Sequence, residues 1–208
     1  MDVQYYGANC VTLTIKSTRI VIDDNLAELG GKSITKAGDI ALFTGAPHGV
    51  PKAEVKILVD GPGEYEVSDV SIIGIPARAH LDEKGLNATM YKVVSGDLTV
   101  LITGHIYHDL NDRQLETIGM VDLMFVPVGG HGYTLDPLGA LKVIKAVEPK
   151  MVIPTHYEEA GLTFEVPQGD LKSALHELAM EPQETVAKLR VKPSELSDAT
   201  HLVVLEKS

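Results

Sequence analysis

An apolar run that stops abruptly at histidine constrains this chain more than any other feature. Leu98–His108 reads LTVLITGHIYH. Aliphatic and β-branched residues fill Leu98–Thr103, the pattern of a strand buried on both faces. Gly104 ends the run, and His105 and His108 follow. A second run, from Lys150, ends the same way at Thr155-His156. Strands apolar on both sides belong to sheets covered on both faces. Loops at the ends of such strands are where a rigid scaffold holds reactive groups within reach of solvent. Two of them ending in imidazoles point to one shared site.

Strand patterns dominate the first half. Met1–Tyr6, Cys10–Ile15 and Thr18–Asp23 read as a three-stranded meander at a sheet edge. Asp39–Thr44 and Val55–Val59 follow as buried strands. Asp60-Gly61-Pro62-Gly63 is a turn. Gly63–Val67 with Val70–Ile75 forms a hairpin tipped by Ser68-Asp69, and Ala88–Val94 with Leu98–Thr103 forms the next. Between them Pro76–Asn87 is a polar loop carrying Arg78 and His80.

Helices enter in the second half. Asn111 caps a short helix ending at Ile118. Asp136 caps another with Pro137 at its first position, where the missing N–H costs nothing. Leu138, Leu141, Ile144 and Val147 recur in it at helical spacing. Asp170 caps a third helix of about ten residues, as its pattern suggests. Strands are expected at Val121–Val128, Lys150–Pro154, Val186–Val191 and His201–Leu205. The reading is one domain over 1–208 of mixed α/β layers, because strands alternating with helices bury both strand faces.

Bulk properties exclude several classes. The 208 residues carry a net charge of −11. That argues against nucleic-acid binding, which rests on Lys and Arg neutralising phosphates. Tryptophan is absent and only three Phe are present, so base-stacking platforms are poorly supplied. No apolar run approaches the ~20 residues of a membrane span, and no basic segment followed by an apolar one marks a signal peptide. With one cysteine, Cys10, there is no internal disulfide, and a cytoplasmic location is expected. Cys10 reads as a small core residue. The GPGEY turn lacks the GK[ST] ending of a phosphate loop, and no GxSxG elbow is present.

Four stretches together resemble the metallo-β-lactamase-fold hydrolases, in particular the small zinc-dependent group that includes ascorbate-phosphate-lactonase-like proteins. They are YYGANCVTLTIKSTRIVIDD, GPGEYEV with IIGIPARAH, TGHIYHDLNDRQLETIGMVDLMFVPVGG, and PKMVIPTHY. The resemblance implies an αββα four-layer sandwich with the site at the sheet edge between the two sheets. It also implies a metal-binding HxHxDH stretch after the strand at Asp39–Thr44. Here that stretch reads Gly45-Ala46-Pro47-His48-Gly49-Val50, with no ligand in register. Gly7-Ala8 replaces an early GH pair, and His105 stands where the family places a bridging aspartate. His80 and His156 fall on ligand positions, and Asp24 falls near an outer aspartate.

Three readings stay open. In the first the metal site is degenerate and the family reaction is weak or lost. In the second His80, His105 and His156 hold one divalent ion such as zinc, with His48, His108 or His131 as a fourth ligand. Such a site would hydrolyse a small ester, lactone or phosphoester, because zinc with three protein ligands and water activates that water. In the third the chain is an interaction module forming homo-oligomers. A dinuclear centre, with two cations ~3.5–4 Å apart, lacks the ligands it needs. His131 reads as part of a tight glycine turn, and His176 and His201 receive no role.

Overall fold

The computed structural model describes residues 1–45, 53–82 and 84–208. His48 lies outside the described residues. β1 (Asp2–Gly7), β2 (Cys10–Ile15) and β3 (Thr18–Ile22) form the expected antiparallel meander. It occupies the middle of its sheet rather than an edge. β4 (Ile40–Leu42) and β5 (Ile57–Val59) extend it in parallel beyond β3. The other flank is completed late in the chain.

The second sheet opens with antiparallel hairpins: β6 (Gly63–Val67), β7 (Val70–Ala77), β8 (Ala88–Ser95) and β9 (Leu98–Ile102). β10 (Leu123–Pro127) and β11 (Met151–Thr155) then pair in parallel, and every residue of both is buried. β14 (His201–Leu205) and β12 (Pro182–Val186) complete this sheet.

The run expected as one strand at Val186–Val191 divides between the sheets. β12 ends at Val186 in the second, while β13 (Leu189–Arg190) pairs with β1 in the first. The orders are β13-β1-β2-β3-β4-β5 and β12-β14-β11-β10-β9-β8-β7-β6. One apolar core draws Leu13, Ile20 and Leu42 from the first sheet together with Ile72, Leu101 and Phe125 from the second. Those side chains form the dry interior of a two-sheet sandwich.

Three α-helices cross over between the later strands. α1 (Asp112–Ile118) has a complete capping box, with Asn111 and Gln114 satisfying each other's backbone N–H. α2 (Pro137–Val147) and α3 (Leu171–Leu178) are capped by Asp136 and Asp170 as anticipated. The buried face of α2 is Ala140, Val143, Ile144 and Val147, rotated from the expected stripe, and Leu138 is 58% exposed. On the outside of the first sheet, Cys10 and Val21 pack against Leu26, Ile34 and Leu162. Cys10 is thus an apolar filler beneath the segment that follows β3. Among the described residues no helix is long and apolar enough to cross a membrane.

Candidate functional site

The carboxyl ends of β3, β4, β9 and β11 meet at one edge of the sandwich. Open sheets place ligand crevices at such ends, where loops diverge and backbone groups come free. Cross-sheet hydrogen bonds lock this edge. Thr89 N donates to Thr44 O at 2.8 Å, and His156 N donates to Ala8 O at 2.8 Å. Tyr91 Oη donates to Phe43 O at 2.9 Å, and Thr155 Oγ1 donates to Asn9 Oδ1 at 2.9 Å.

His105 follows Gly104, whose φ of +63° suits glycine. Space makes the same demand. A Cβ at 104 would lie 2.3 Å from Thr44 Oγ1 and 2.4 Å from Thr44 Cβ, so the Thr44 side chain fills the place of a side chain at 104. Thr44 in turn serves Asp23. Its N–H donates to Asp23 Oδ1 at 2.7 Å and its hydroxyl to Oδ2 at 2.6 Å. Asp23 is 6% exposed. Burial raises its carboxyl to about 6, against the opposing pull of the two Thr44 bonds.

Asp24, the neighbour singled out from sequence, faces a different task. Its Oδ2 accepts from Ser33 Oγ, Ile34 N, and both Thr35 N and Oγ1. It shapes the segment after β3, while Asp23 lines the cavity.

His156 is 4% exposed and has φ +52°. Its Nδ1 lies 3.1 Å from Gln168 Oε1. The amide oxygen can only accept, which places the ring proton on Nδ1 and leaves Nε2 as the lone-pair nitrogen. Burial lowers this imidazole to about 4, so it is neutral near pH 7. Gly129 makes the Gln168 contact possible. A Cβ there would fall 2.1 Å from His156 O and 2.3 Å from Gln168 Oε1.

His80 reaches the same place from the loop after β7. Its N–H donates to His105 O at 2.8 Å, and Tyr107 N returns to Arg78 O at 2.9 Å. Burial lowers the His80 imidazole too, with the Ile106 backbone pulling the other way. Its buried Nδ1 has no hydrogen-bond partner among the described residues.

The rings form a continuous wall. His105 meets His156 edge-on, with centroids 4.5 Å apart and planes at 85°. Tyr133 lies 5.0 Å from His105 and 5.7 Å from His156, and Phe164 lies 5.1 Å from His156. Together with His80 and Asn9 they line a cavity of about 650 Å³, within the range of small-molecule sites. Four carboxylate residues also line it, Asp23, Glu28, Asp82 and Glu165, and no Lys or Arg does so among the described residues.

The structure thus brings His80, His105 and His156 to one cavity. It does not gather three or more His, Cys, Asp or Glu side chains into a group able to hold a metal ion, among the described residues. Of the proposed fourth ligands, His48 is outside the described residues, and His108 and His131 lie elsewhere. His108 Nε2 sits 3.0 Å from Lys142 Nζ on α2 and 3.3 Å from Asp109 Oδ1. His131, in its turn at φ +53°, borders a separate hollow between the starts of α2 and α3.

Asn9, Tyr133, Phe164 and Gln168 went unrecognised in the sequence. Tyr133 alone had a usable signal, one residue beyond the Gly129–Gly132 turn that ends a buried strand. The other three come from segments that only tertiary packing brings to the site.

Comparison with known proteins matches residues 2–156 to the β-lactamase superfamily domain. A metal-dependent hydrolase of Pyrococcus horikoshii is 28% identical over 138 residues, covering 64% of this chain and 58% of the relative. One from Thermococcus onnurineus is 32% identical over 101 residues, 46% of this chain and 44% of the relative. The match therefore spans less than two thirds of these relatives' own length. Among solved structures, one assigned as a zinc-dependent hydrolase of the metallo-β-lactamase superfamily, from Thermotoga maritima, superposes with TM-score 0.75 at 23% identity, covering 99% of this chain and 98% of that one. A metallo hydrolase from Ignicoccus hospitalis superposes with TM-score 0.59 at 19% identity, covering 86% and 90%. These superpositions share the fold. By the extent of the family match, this chain belongs to the β-lactamase superfamily, the metallo-β-lactamase-fold hydrolases.

Proposed function

We propose that this protein is a member of the superfamily in which the metal pocket has become a metal-free small-molecule-binding cavity, with the family's metal-dependent hydrolysis weak or lost. One observation carries the reading, the arrangement of His105 and His156. The family resemblance puts His105 where a bridging aspartate is expected, and its ring stands edge-on against His156 at 4.5 Å. A neutral imidazole offers one lone-pair nitrogen and cannot span two cations as a carboxylate does. His156 spends Nδ1 on Gln168, so Nε2 is the nitrogen left to bind anything.

The described residues do not fit the divalent metal for which the relatives are named. A catalytic zinc asks for three protein ligands around one point, and the described residues bring no such group together. What the cavity offers instead is neutral imidazole nitrogen at His80 and His156, a carboxyl at Asp23 that titrates at about 6, and ring faces. These groups can orient a small ligand and exchange hydrogen bonds with it.

Elemental analysis of protein purified without chelator tests the reading, combined with a zinc titration followed by calorimetry. Substoichiometric metal and no saturable zinc binding are expected. One tightly held metal per chain, lost in the His105→Ala, His156→Ala double variant with the fold intact, would establish the mononuclear alternative instead.

A further inference from the structure

We propose that the cavity binds a small organic cation: a protonated amine that also carries an oxygen acceptor, seated against the Tyr133 and Phe164 rings and held by the surrounding carboxylates. This deepens the reading of a metal-free cavity and rests on it. The charge inventory is one-sided, with Asp23, Glu28, Asp82 and Glu165 on the lining and no basic residue among the described ones. A cavity with low-dielectric walls and charges of one sign concentrates ligands of the other.

The wall chemistry agrees with the charge. Aromatic faces attract ammonium groups through the ring quadrupole, and the attraction grows as water is excluded. Tyr133 and Phe164 flank His156 at 5.7 and 5.1 Å, so three rings are contiguous. The buried Nδ1 of His80 lacks a partner among the described residues, and an imidazole nitrogen carrying its lone pair receives an ammonium N–H.

Asn9 supplies an independent sign of a ligand. It lines the cavity and is 5% exposed. Its Oδ1 accepts a hydrogen bond from the Thr155 hydroxyl, while its Nδ2 has no partner among the described residues. A buried amide left half satisfied costs about 1–3 kcal/mol, and a ligand oxygen accepting from it recovers that loss. Hence the ligand needs an acceptor as well as a charge.

The test uses three probes of similar length: N-acetylputrescine, which has an amide oxygen and an ammonium; 4-acetamidobutyrate, with the same amide and a carboxylate; and neutral N-butylacetamide. Binding is read by titration calorimetry on zinc-free protein at low salt. N-acetylputrescine is expected to bind at least tenfold tighter than the other two. Glu165→Lys, at an exposed position, is expected to weaken it at least tenfold while the circular dichroism spectrum is unchanged. Equal or tighter binding of the carboxylate, no binding by any probe, or a Glu165→Lys variant of unaltered affinity would overturn this proposal while leaving the metal-free reading intact. Stoichiometric zinc binding that displaces the amine would overturn both.

Discussion

Replacing Asp23 by asparagine isolates the titration of one buried carboxyl. In the folded protein Asp23 titrates at about 6, against 3.8 for an ordinary side chain of its kind. Between those values the native state holds a proton that the unfolded chain has released. Stability falls with rising pH wherever the native state binds more protons than the unfolded state. The contribution is whole below about 3.8 and lost above about 6. At ~1.36 kcal/mol per pH unit the loss is about 3 kcal/mol. The asparagine side chain can keep both Thr44 contacts, with Oδ1 accepting from Thr44 N and Nδ2 donating to the hydroxyl, but it cannot ionise. Urea unfolding of both proteins at steps from pH 3 to pH 8 gives the difference directly, and other titrating groups cancel in it. The Asp23→Asn variant is expected to gain about 3 kcal/mol relative to the parent across that interval. Parallel stability profiles would show that Asp23 titrates as an ordinary carboxyl, and the burial argument would be wrong.

Two further outcomes follow from the same site. The His156 imidazole is expected to show no change in its ring NMR shifts between pH 5 and pH 8, because burial holds it at about 4; a midpoint near 6.5 would mean that the ring is solvated. Gly129→Ala is expected to cost about 1–3 kcal/mol in urea unfolding, since a Cβ there meets His156 O and Gln168 Oε1 at 2.1 and 2.3 Å. A variant as stable as the parent would show that Gln168 is not held against His156.

Local chemistry was readable from the sequence wherever one segment decides the outcome. The caps Asn111, Asp136 and Asp170 satisfy backbone groups three residues away, so their signal lies within a single turn. The all-buried strands β10 and β11 were legible from their apolar runs for a similar reason. Longer-range choices were not legible. The stripe of α2 is set by the surface it meets, and Leu138 faces water although its spacing marked it as apolar-face. The chain between Pro182 and Arg190 changes sheets because β14 and β1 each offer a free edge, which no local pattern encodes. At the site, the strand-end histidines stood out, since a buried run closing on imidazole is unusual. Asp23 was overlooked in favour of Asp24 because the chain leaves β3 in a left-handed turn, with Asp23 at φ +48°, and the sequence does not say which of the two adjacent carboxylates such a turn aims at the cavity.

The stitching of the two sheets at the cavity edge has a kinetic corollary. The β7–β8–β9 hairpins join neighbours in the chain and can close within microseconds. Thr44 with Thr89 and Ala8 with His156 meet only after long loops have closed, a slow step in chains of this topology. The cavity is thus among the last parts of the molecule to come into being. A compound lodged there engages only the finished protein, stabilises it by mass action, and acts on the rate of unfolding while leaving early hairpin formation untouched.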